Sequence, residues 1–269
     1  MTVSSSDVAL PGWVRLACPI DRSELRSDGI ATCAQGHSFA RQNGILQLFP
    51  PEASRPRGDY VRWIADYYRI RFTRRQARRT EDITARFFEY AAPDTPVLDV
   101  GCGRADKARY FPAGTYVGID PIDPIGAGMI VEVPAPMVNG TGVALPFAND
   151  QFASVVLFGV LDHVADRATL YGEIARVLRP DGALCLFNQV VGERGGTLTG
   201  IGGWILERLR TRDIVGLVRV ARFTLANPLA RAFAEPLSAE RIVSELAKLF
   251  PTIEHTVVDG HTLMLRASR

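Results

Sequence analysis

The sequence predicts an α/β protein whose main sheet is parallel and ends in an antiparallel hairpin. After Pro96, apolar runs of strand length alternate with amphipathic runs of helix length, which is typical of a parallel sheet covered on both faces. Helices are predicted with Asp166 as N-cap between the fourth and fifth strands, and with Ser238 as N-cap near the end of the chain. Two alternating runs then surround Asp259-Gly260, a dipeptide that favours a tight hairpin turn.

The composition favours one principal core with a small additional module. The chain has 269 residues, of which 47% are hydrophobic, and its net charge of +2 disfavours a general polyanion binder. It contains neither a signal-peptide pattern nor an apolar run of about 20 residues. We therefore expect a cytoplasmic protein that does not contact membranes. Four cysteines in a chain of this size do not predict a disulfide framework.

Residues 1–50 are predicted to form a small ribbon of short strands, too few to bury a core alone. Cys18-x2-Asp21 and Cys33-x3-His37 have the spacing of the two knuckles of a zinc ribbon. Two interpretations stay open. The four side chains bind zinc, or the ribbon has lost its metal and is held together by apolar packing.

Residues 51–93 are predicted to contain a proline-rich linker and two helices. The first helix is expected over Tyr60–Phe72, with aromatic residues at helical spacing, and the second is expected to start at Thr80. Arginines alternate with aromatic residues over 55–79, a composition that can bind phosphates and stack bases. The alternative is that the aromatic face packs into the core or forms a pocket wall.

The turn after the first strand of the main sheet predicts the ligand. Glycine at 101 and 103 between a strand and a helix is a common site for a nucleotide. Asp106 stands where a dinucleotide fingerprint needs its third glycine, and its carboxylate would repel a pyrophosphate. Asp99 and Asp120 are further carboxylates, and Asp120 ends the next strand, where it can accept both ribose hydroxyls. A cationic nucleoside without phosphates is therefore predicted, and S-adenosylmethionine meets these requirements.

Four segments together resemble a known family. VLDVGCGRA, YVGIDP, GTGVALPFANDQFASVVLFGVLDHV and EIARVLRPDGAL resemble, in order and approximate spacing, the class I S-adenosylmethionine-dependent methyltransferases, especially their small-molecule, type 11-like branch. The resemblance covers about residues 95–190, supported by 237–267. It implies a Rossmann-like seven-stranded sheet with an antiparallel last strand, within a domain spanning 94–269. The ribbon is similar to the zinc module of ribosomal-RNA guanine methyltransferases, with Asp21 replacing a cysteine.

The resemblance also implies which residues bind the cofactor. Gly101 and Gly103 would approach the methionine and ribose, Asp99 would orient the turn, and Asp120 would hold the ribose diol. The remaining residues would line the adenine side (Pro121, Thr141 and Gly142) and the methionine side (Phe158 and Gly159). The chain departs from the family at Thr141, where an acidic residue often faces adenine. It also has several prolines after Asp120, where the family usually has a full helix.

His163 and Asp162 are the predicted catalytic residues. Methyl transfer needs a base only when the acceptor must lose a proton. His163 is the candidate base, with Asp162 to orient it, and family members often carry His at this position. The alternative is that His163 makes a local hydrogen bond and shapes the floor of the pocket.

The acceptor is expected to lie beside the end of the fifth strand. Asn188 and Gln189 end that strand, and Tyr68 and Trp204 are further predicted substrate-binding residues. The glycine-rich, partly apolar segment 192–236 is predicted to be a helical lid over the pocket, which would exclude water and shape specificity.

Three functions stay open at this point. The first is a methyltransferase that tailors a small molecule, as in secondary metabolism, and it is supported by the lid and by the family branch. The second is an RNA base methyltransferase, supported by the ribbon and the arginine-rich segment but disfavoured by the low net charge. The third is a cofactor-binding homologue that does not transfer methyl groups. The sequence leaves the acceptor and the oligomeric state open.

Overall fold

The computed structural model describes residues 8–28, 30–53, 56, 58–69, 74–190 and 237–269, with positions 209, 214, 217 and 218 between the last two ranges. The predicted lid over 192–236, including Trp204, lies almost wholly outside these residues, and so does the side chain of Tyr68. In the described part of the chain, no helix combines the length and the apolar character needed to cross a bilayer.

The described residues form an α/β fold with one large and one small sheet. The strands are β1 (Leu25–Asp28), β2 (Ile30–Cys33), β3 (Ser38–Phe39), β4 (Arg41–Gln42), β5 (Ile45–Leu48), β6 (Val97–Val100), β7 (Tyr116–Asp120), β8 (Met137–Gly140), β9 (Phe152–Phe158), β10 (Leu178–Gln189), β11 (Thr252–Val258) and β12 (Thr262–Ser268). The helices are α1 (Gly58–Arg69), α2 (Arg74–Ala91), α3 (Arg167–Val177) and α4 (Ala239–Leu246). Short 3₁₀ helices span Asp106–Tyr110, Gly142–Ala144 and Leu161–His163.

The large sheet of the described residues has the order β11-β12-β10-β9-β6-β7-β8-β5-β4. Strands β5 to β10 pair in parallel, whereas β12 is antiparallel to both β10 and β11. The predicted parallel sheet and terminal hairpin are therefore confirmed, and Asp259 and Gly260 both have positive φ in the hairpin turn. Since β6 pairs in parallel with both β7 and β9, the strand order reverses there, and ligands of such sheets bind at the carboxyl ends beside this point.

The ribbon at the amino terminus shares its core with the large sheet. Strands β1 to β3 form a separate small sheet, but β5 pairs in parallel with β8 and so extends the large one. Leu46 and Leu48 of β5 are fully buried in the same hydrophobic cluster as Leu98 of β6. The ribbon is therefore stabilised by the main core, which explains how so few residues remain folded.

Two helices differ from their predicted extents. Helix α2 begins at Arg74, six residues before the predicted Thr80, because the arginines and glutamine before Thr80 are good helix formers. After the glycine-rich turn, the predicted helix is only the 3₁₀ segment Asp106–Tyr110. Pro112 explains the short length, since the residue before a proline is disfavoured in helical conformation and Phe111 is extended here.

The helix starts predicted from capping residues are confirmed. The Asp166 carboxylate accepts a hydrogen bond from Thr169 N at 3.0 Å, and the Ser238 hydroxyl accepts one from Arg241 N at 3.2 Å. Arg167 of α3 donates two hydrogen bonds to Glu245 of α4, from Nε to Oε2 at 3.0 Å and from Nη2 to Oε1 at 3.2 Å. This paired geometry fixes the two helices relative to each other.

The strand β7 offers a test of how tightly the sheet supports the glycine-rich turn. A Cβ on Gly118 would lie 2.6 Å from Cys102 Sγ, so we expect Gly118→Ala to lower the free energy of unfolding by about 1–3 kcal/mol. The matched control is Gly172→Ala in α3, where no atom lies within 4 Å of the added Cβ. It should raise stability by about 1 kcal/mol, because alanine is the better helix former. Urea denaturation measures both changes, and equal effects of the two substitutions would contradict this account.

Candidate active site

The glycine-rich turn after β6 is held against the neighbouring strand β7. Gly101 and Gly103 have φ of 75° and 58°, a region that glycine adopts without steric cost. The N–H groups of Gly101 and Cys102 both donate to Ile119 O, at 2.8 and 3.2 Å. A Cβ on Gly101 would overlap Cγ2 of Val160. Glycine is therefore required here both for the backbone shape and for the close approach of the segment after β9.

Asp120 connects this turn to the end of β7. Its Oδ2 accepts a hydrogen bond from Gly103 N at 2.8 Å, and its Oδ1 accepts one from Ile122 N at 2.8 Å. Burial raises the pKa of Asp120 to about 6, although these backbone hydrogen bonds act in the opposite direction. Pro121, the predicted neighbour of adenine, follows half-buried. One buried carboxylate thus fixes the backbone on both sides of the crevice.

Asp99 is a second buried carboxylate, one strand away in β6. Its Oδ2 accepts a hydrogen bond from the Tyr116 hydroxyl at 2.8 Å, whereas Oδ1 has no hydrogen-bond partner within the described part of the chain. Burial raises the pKa of Asp99, and the nearby Lys107 ammonium partly offsets this effect. The carboxylates that the sequence placed at one sheet edge therefore do lie near one another.

Lys107 is a site residue that the sequence reasoning missed. Its charge lowers the pKa of both Asp99 and Asp120, and its Nζ lies 5.0 Å from the centroid of the Phe158 ring. The signal that could have identified it is its rarity, since it is one of two lysines in a chain rich in arginine. It adds a cation to a group of carboxylates.

His163 and Asp162 lie in the 3₁₀ helix that follows β9. The distance from His163 Nε2 to Asp162 Oδ2 is 3.6 Å, and burial raises the pKa of Asp162 while His163 partly offsets the change. The ring centroids of Tyr60 and Trp63 lie 5.6 and 5.7 Å from that of His163. The imidazole is therefore bordered by a carboxylate and by two aromatic rings of α1.

Helix α1 brings Tyr60 to the same crevice. Burial raises the pKa of Tyr60, and the nearby carboxylates of Asp120 and Asp162 raise it further. Tyr60 thus lies close to the residue predicted to hold the ribose and to the predicted catalytic pair. The aromatic face of this helix contributes side chains to the site, which is the pocket-wall alternative stated above.

Asn188 and Gln189 are engaged in contacts within the fold. Asn188 is fully buried, with its Oδ1 accepting from Leu161 N at 3.2 Å and its Nδ2 donating to Gln189 O at 2.8 Å. Gln189 is exposed and donates to the Thr262 hydroxyl at 3.3 Å. Asn188 therefore fixes the segment that carries Asp162 and His163, and a direct contact with the acceptor stays a prediction.

The predicted adenine-side residues form a tight turn after β8. The Thr141 hydroxyl accepts a hydrogen bond from Val143 N at 3.4 Å, and this contact caps the 3₁₀ helix. A Cβ on Gly142 would lie 2.7 Å from Cδ1 of Leu170 in α3. The shape of this turn is thus set by packing against α3.

The predicted methionine-side residues lie at the end of β9. The Phe158 ring stacks on Phe187 with a centroid distance of 4.1 Å and an interplanar angle of 1°. Gly159 has φ of 68° and begins the sharp turn towards His163. Phe158 therefore supports the site through packing, and Gly159 lets the chain reverse.

The four predicted metal ligands converge at one point of the ribbon. His37 Nδ1 lies 3.5 Å from Cys18 Sγ, 3.4 Å from Cys33 Sγ and 3.0 Å from Asp21 Oδ2. Cys33 Sγ lies 3.5 Å from the same carboxylate oxygen, and the four ligand atoms all lie within 4.8 Å of one another. Tetrahedral zinc with ordinary bond lengths separates its ligand atoms by about 3.4–3.7 Å. The Cys18–His37, Cys33–His37 and Cys33–Asp21 separations fit such an ion, and the shorter contact between His37 and Asp21 would lengthen on binding it.

The ionisation of this cluster also suits a metal. Hydrogen bonds from the Ser23 hydroxyl and N–H lower the pKa of Asp21. Burial acts to raise the pKa of Cys33, but hydrogen bonds involving Ser23, His37 and Gln35 outweigh the effect of burial. The pKa of Cys33 therefore lies below the ordinary value of a thiol. Metal ligands bind in their deprotonated forms, so these two shifts favour coordination, whereas burial raises the pKa of Cys18 and acts against it.

Comparisons with known proteins agree with the geometry at the sheet edge. Residues 98–186 match the family described as "Methyltransferase domain". A protein of Mycobacterium sp. (strain KMS) named "Uncharacterized methyltransferase" is 35% identical over 177 residues, which cover 62% of this chain and 65% of that protein. The chain is thus similar to methyltransferases over the region that contains the glycine-rich turn and its carboxylates.

Further comparisons extend this result to the fold. A demethylmenaquinone methyltransferase of Roseiflexus castenholzii is 30% identical over 161 residues, covering 55% of this chain and 65% of that protein. The structure of the [4+2]-cyclase SpnF aligns with a TM-score of 0.52 at 14% identity, covering 81% of this chain and 97% of that one. The PH0226 protein of Pyrococcus horikoshii OT3 aligns with a TM-score of 0.50 at 15% identity, covering 76% and 98%. The alignments with the curated relatives span about 65% of their length.

The buried carboxylate of Asp120 predicts a characteristic dependence of stability on pH. Its pKa is about 6 in the folded protein and near 3.8 when exposed, so the folded state binds more protons between these values. Relative to Asp120→Asn, wild-type stability should therefore fall as pH rises from about 4 to 6, by up to about 1.4 kcal/mol per pH unit. Urea denaturation of both proteins across this range measures the difference. A difference independent of pH would contradict the burial of an ionisable group here.

Proposed function

We propose that this protein transfers a methyl group from S-adenosylmethionine to a small-molecule acceptor, as a tailoring enzyme of secondary metabolism. The observation that carries the proposal is the position of Asp120. Its buried carboxylate accepts a hydrogen bond from Gly103 N, in the glycine-rich turn, at 2.8 Å. It lies at the carboxyl end of β7, beside the point where the strand order reverses. A carboxylate there suits the diol of a ribose, and the surrounding carboxylates disfavour a phosphate.

The described residues fit the cofactor in three respects. Asp120 would accept the ribose hydroxyls, and Gly103, whose N–H donates to that carboxylate, has no side chain to separate its backbone from the ligand. Asp99 has a buried oxygen with no hydrogen-bond partner among the described residues, which a cationic group can compensate. Lys107 is the candidate partner of the cofactor's carboxylate. When bound, S-adenosylmethionine supplies a methyl group on a positively charged sulfur.

The residues around His163 would handle the acceptor. The imidazole lies between Asp162 and the rings of Tyr60 and Trp63, where it can accept a proton from an acceptor hydroxyl or amine or orient the acceptor. The carboxylate of Asp162 would stabilise the protonated imidazole. Most of the rate enhancement would come from aligning the acceptor with the methyl group, since positioning alone provides large effective concentrations.

A second candidate function is cofactor binding without methyl transfer. One solved structure with this fold is a [4+2]-cyclase, so the fold alone does not distinguish the two functions. The RNA methyltransferase alternative gains no further support, because the aromatic residues Tyr60 and Trp63 of the arginine-rich segment pack around His163. The described geometry thus favours a small acceptor.

Incubation with methyl-labelled cofactor tests the proposal. We expect label to enter an extract of small metabolites and not an RNA extract, and Asp120→Asn to weaken the binding of S-adenosylhomocysteine at least about tenfold. If His163 is the base, His163→Gln should lower kcat with little change in KM, whereas a role in shaping the pocket would raise KM. Label in RNA would refute the small-acceptor assignment. Calorimetric binding of S-adenosylhomocysteine without transfer to either extract would favour the second candidate.

We further propose that the ribbon binds zinc through Cys18, Asp21, Cys33 and His37. The support is the arrangement of the four ligand atoms, whose separations resemble the edges of a tetrahedral site. Such a closed set of protein ligands is typical of structural rather than catalytic zinc. The metal would then join the two halves of the ribbon.

Metal analysis of the purified protein tests this part. We expect about one zinc per chain, which Cys33→Ser should reduce strongly. Asp21→Cys should bind zinc more tightly in competition with a chelator, because zinc favours thiolates over a carboxylate. The control is Cys185→Ser, since this cysteine is buried far along the chain in β10. Zinc content that does not differ between Cys33→Ser and the control would refute the site.

A further inference from the structure

A charged contact connects the metal cluster to the turn on the predicted adenine side. We propose that Arg22 is a positioning residue that couples occupancy of the metal cluster to cofactor binding at Thr141 and Gly142. The inference rests on both parts of the proposed function. It concerns a connection between two sites that lie in different parts of the chain.

The position of Arg22 is set by the metal knuckle. It follows the ligand Asp21, and its N–H donates to the carbonyl of the ligand Cys18 at 2.9 Å. The N–H of Cys18 donates in turn to Ser23 O at 2.7 Å. Arg22 has φ of 66°, which is uncommon for a residue with a side chain. Fixing the ligands therefore fixes the direction in which this arginine leaves the backbone.

The guanidinium of Arg22 reaches the main domain at Leu145. Its Nη1 lies 2.8 Å from Glu173 Oε2 and donates to Leu145 O at 3.0 Å. The same Glu173 oxygen accepts a hydrogen bond from Leu145 N at 2.8 Å. Arg176 of α3 also pairs with Glu173 Oε2 at 2.9 Å and donates to Leu145 O at 2.8 Å. Both backbone groups of Leu145 are thus bound within one cluster of two arginines and the largely buried Glu173 carboxylate, and Arg22 is the member that the ribbon supplies. Removal of Arg22 would leave the carboxylate paired with Arg176 alone and would take away the charged contact from the ribbon.

Leu145 directly follows the turn that the cofactor would contact. The Gly142–Ala144 turn is capped by Thr141, and Gly142 packs so closely against α3 that an added Cβ would lie 2.7 Å from Leu170 Cδ1. The next residues pair with the segment that leads into the Cys18–Asp21 knuckle, since Ala17 N donates to Pro146 O at 3.0 Å. A displacement of the knuckle would therefore be transmitted to Thr141 and Gly142 through Leu145.

Coupling of this kind is reciprocal. If zinc raises the affinity for the cofactor by some factor, the cofactor must raise the affinity for zinc by the same factor. A typical coupling between two sites amounts to about fivefold or more. Arg22 should therefore control the ratio of the cofactor affinity measured with zinc to the cofactor affinity measured without zinc.

Calorimetry with S-adenosylhomocysteine on full-length protein measures this ratio. In the wild type, removal of zinc with a chelator should weaken binding at least about fivefold, and zinc should restore it. Arg22→Asn should bring the ratio close to one, and asparagine is chosen because it tolerates positive φ. Arg22→Lys should retain an intermediate ratio, since an ammonium can still pair with Glu173. Arg26→Ala is the control, because Arg26 is an exposed residue of the same charge on β1.

The outcomes distinguish this inference from the cofactor and zinc proposals on which it rests. An Arg22→Asn protein with the wild-type ratio would overturn the coupling role, as would a wild-type ratio of one. Zinc-loaded protein that does not bind S-adenosylhomocysteine would instead refute the cofactor assignment. Protein that binds S-adenosylhomocysteine but no zinc would refute the metal assignment. Either of these last two results would also overturn the inference. Arg22→Asn could also weaken the binding of S-adenosylhomocysteine by the same factor with and without zinc. The ratio would then be unchanged, the effect would be merely structural, and the coupling role would again be overturned.

Discussion

The hydrogen bonds of the Asp120 carboxylate are the constraint on which the site depends. They join the backbone at Gly103, in the turn after β6, to the backbone at Ile122, after β7. Burial raises the pKa of this carboxyl, and the two backbone donors partly offset that effect. The turn after β6 and the segment after β7 are thereby held together at the carboxyl ends of two parallel strands. The remaining elements are arranged around this edge.

Charge at this edge is balanced within the described residues rather than by solvent alone. Asp99 and Asp120 are buried in neighbouring strands, and Lys107 lowers the pKa of both. Tyr60 and the Asp162–His163 pair close the crevice on the side of α1. Such a combination of buried carboxylates and aromatic rings suits a cationic, partly apolar ligand. This electrostatic character is the physical basis of the function proposed above.

The ribbon and the main domain form one mechanical unit. Strand β5 continues the large sheet, and the segment before Cys18 pairs with residues that follow the Gly142–Ala144 turn. The ion pair between Arg22 and Glu173 adds a charged contact between them. Because these contacts are buried or partly buried, they are screened less by salt than exposed pairs. The ribbon is therefore positioned to influence the cofactor side of the molecule.

The sequence by itself determined the parallel sheet, its terminal hairpin and the helix caps, because these follow from local periodicity and from residues such as Asp166, Ser238 and Gly260. It also identified the glycine-rich turn and its carboxylates, since strand ends of a parallel sheet meet at one edge. Only the tertiary structure decided that β5 joins the large sheet and that Lys107 and Tyr60 reach the crevice. It also gave Asn188 a buried bonding role and linked Arg22 to Glu173. These contacts join residues far apart in the chain, and no local pattern specifies which distant side chain fills a given space.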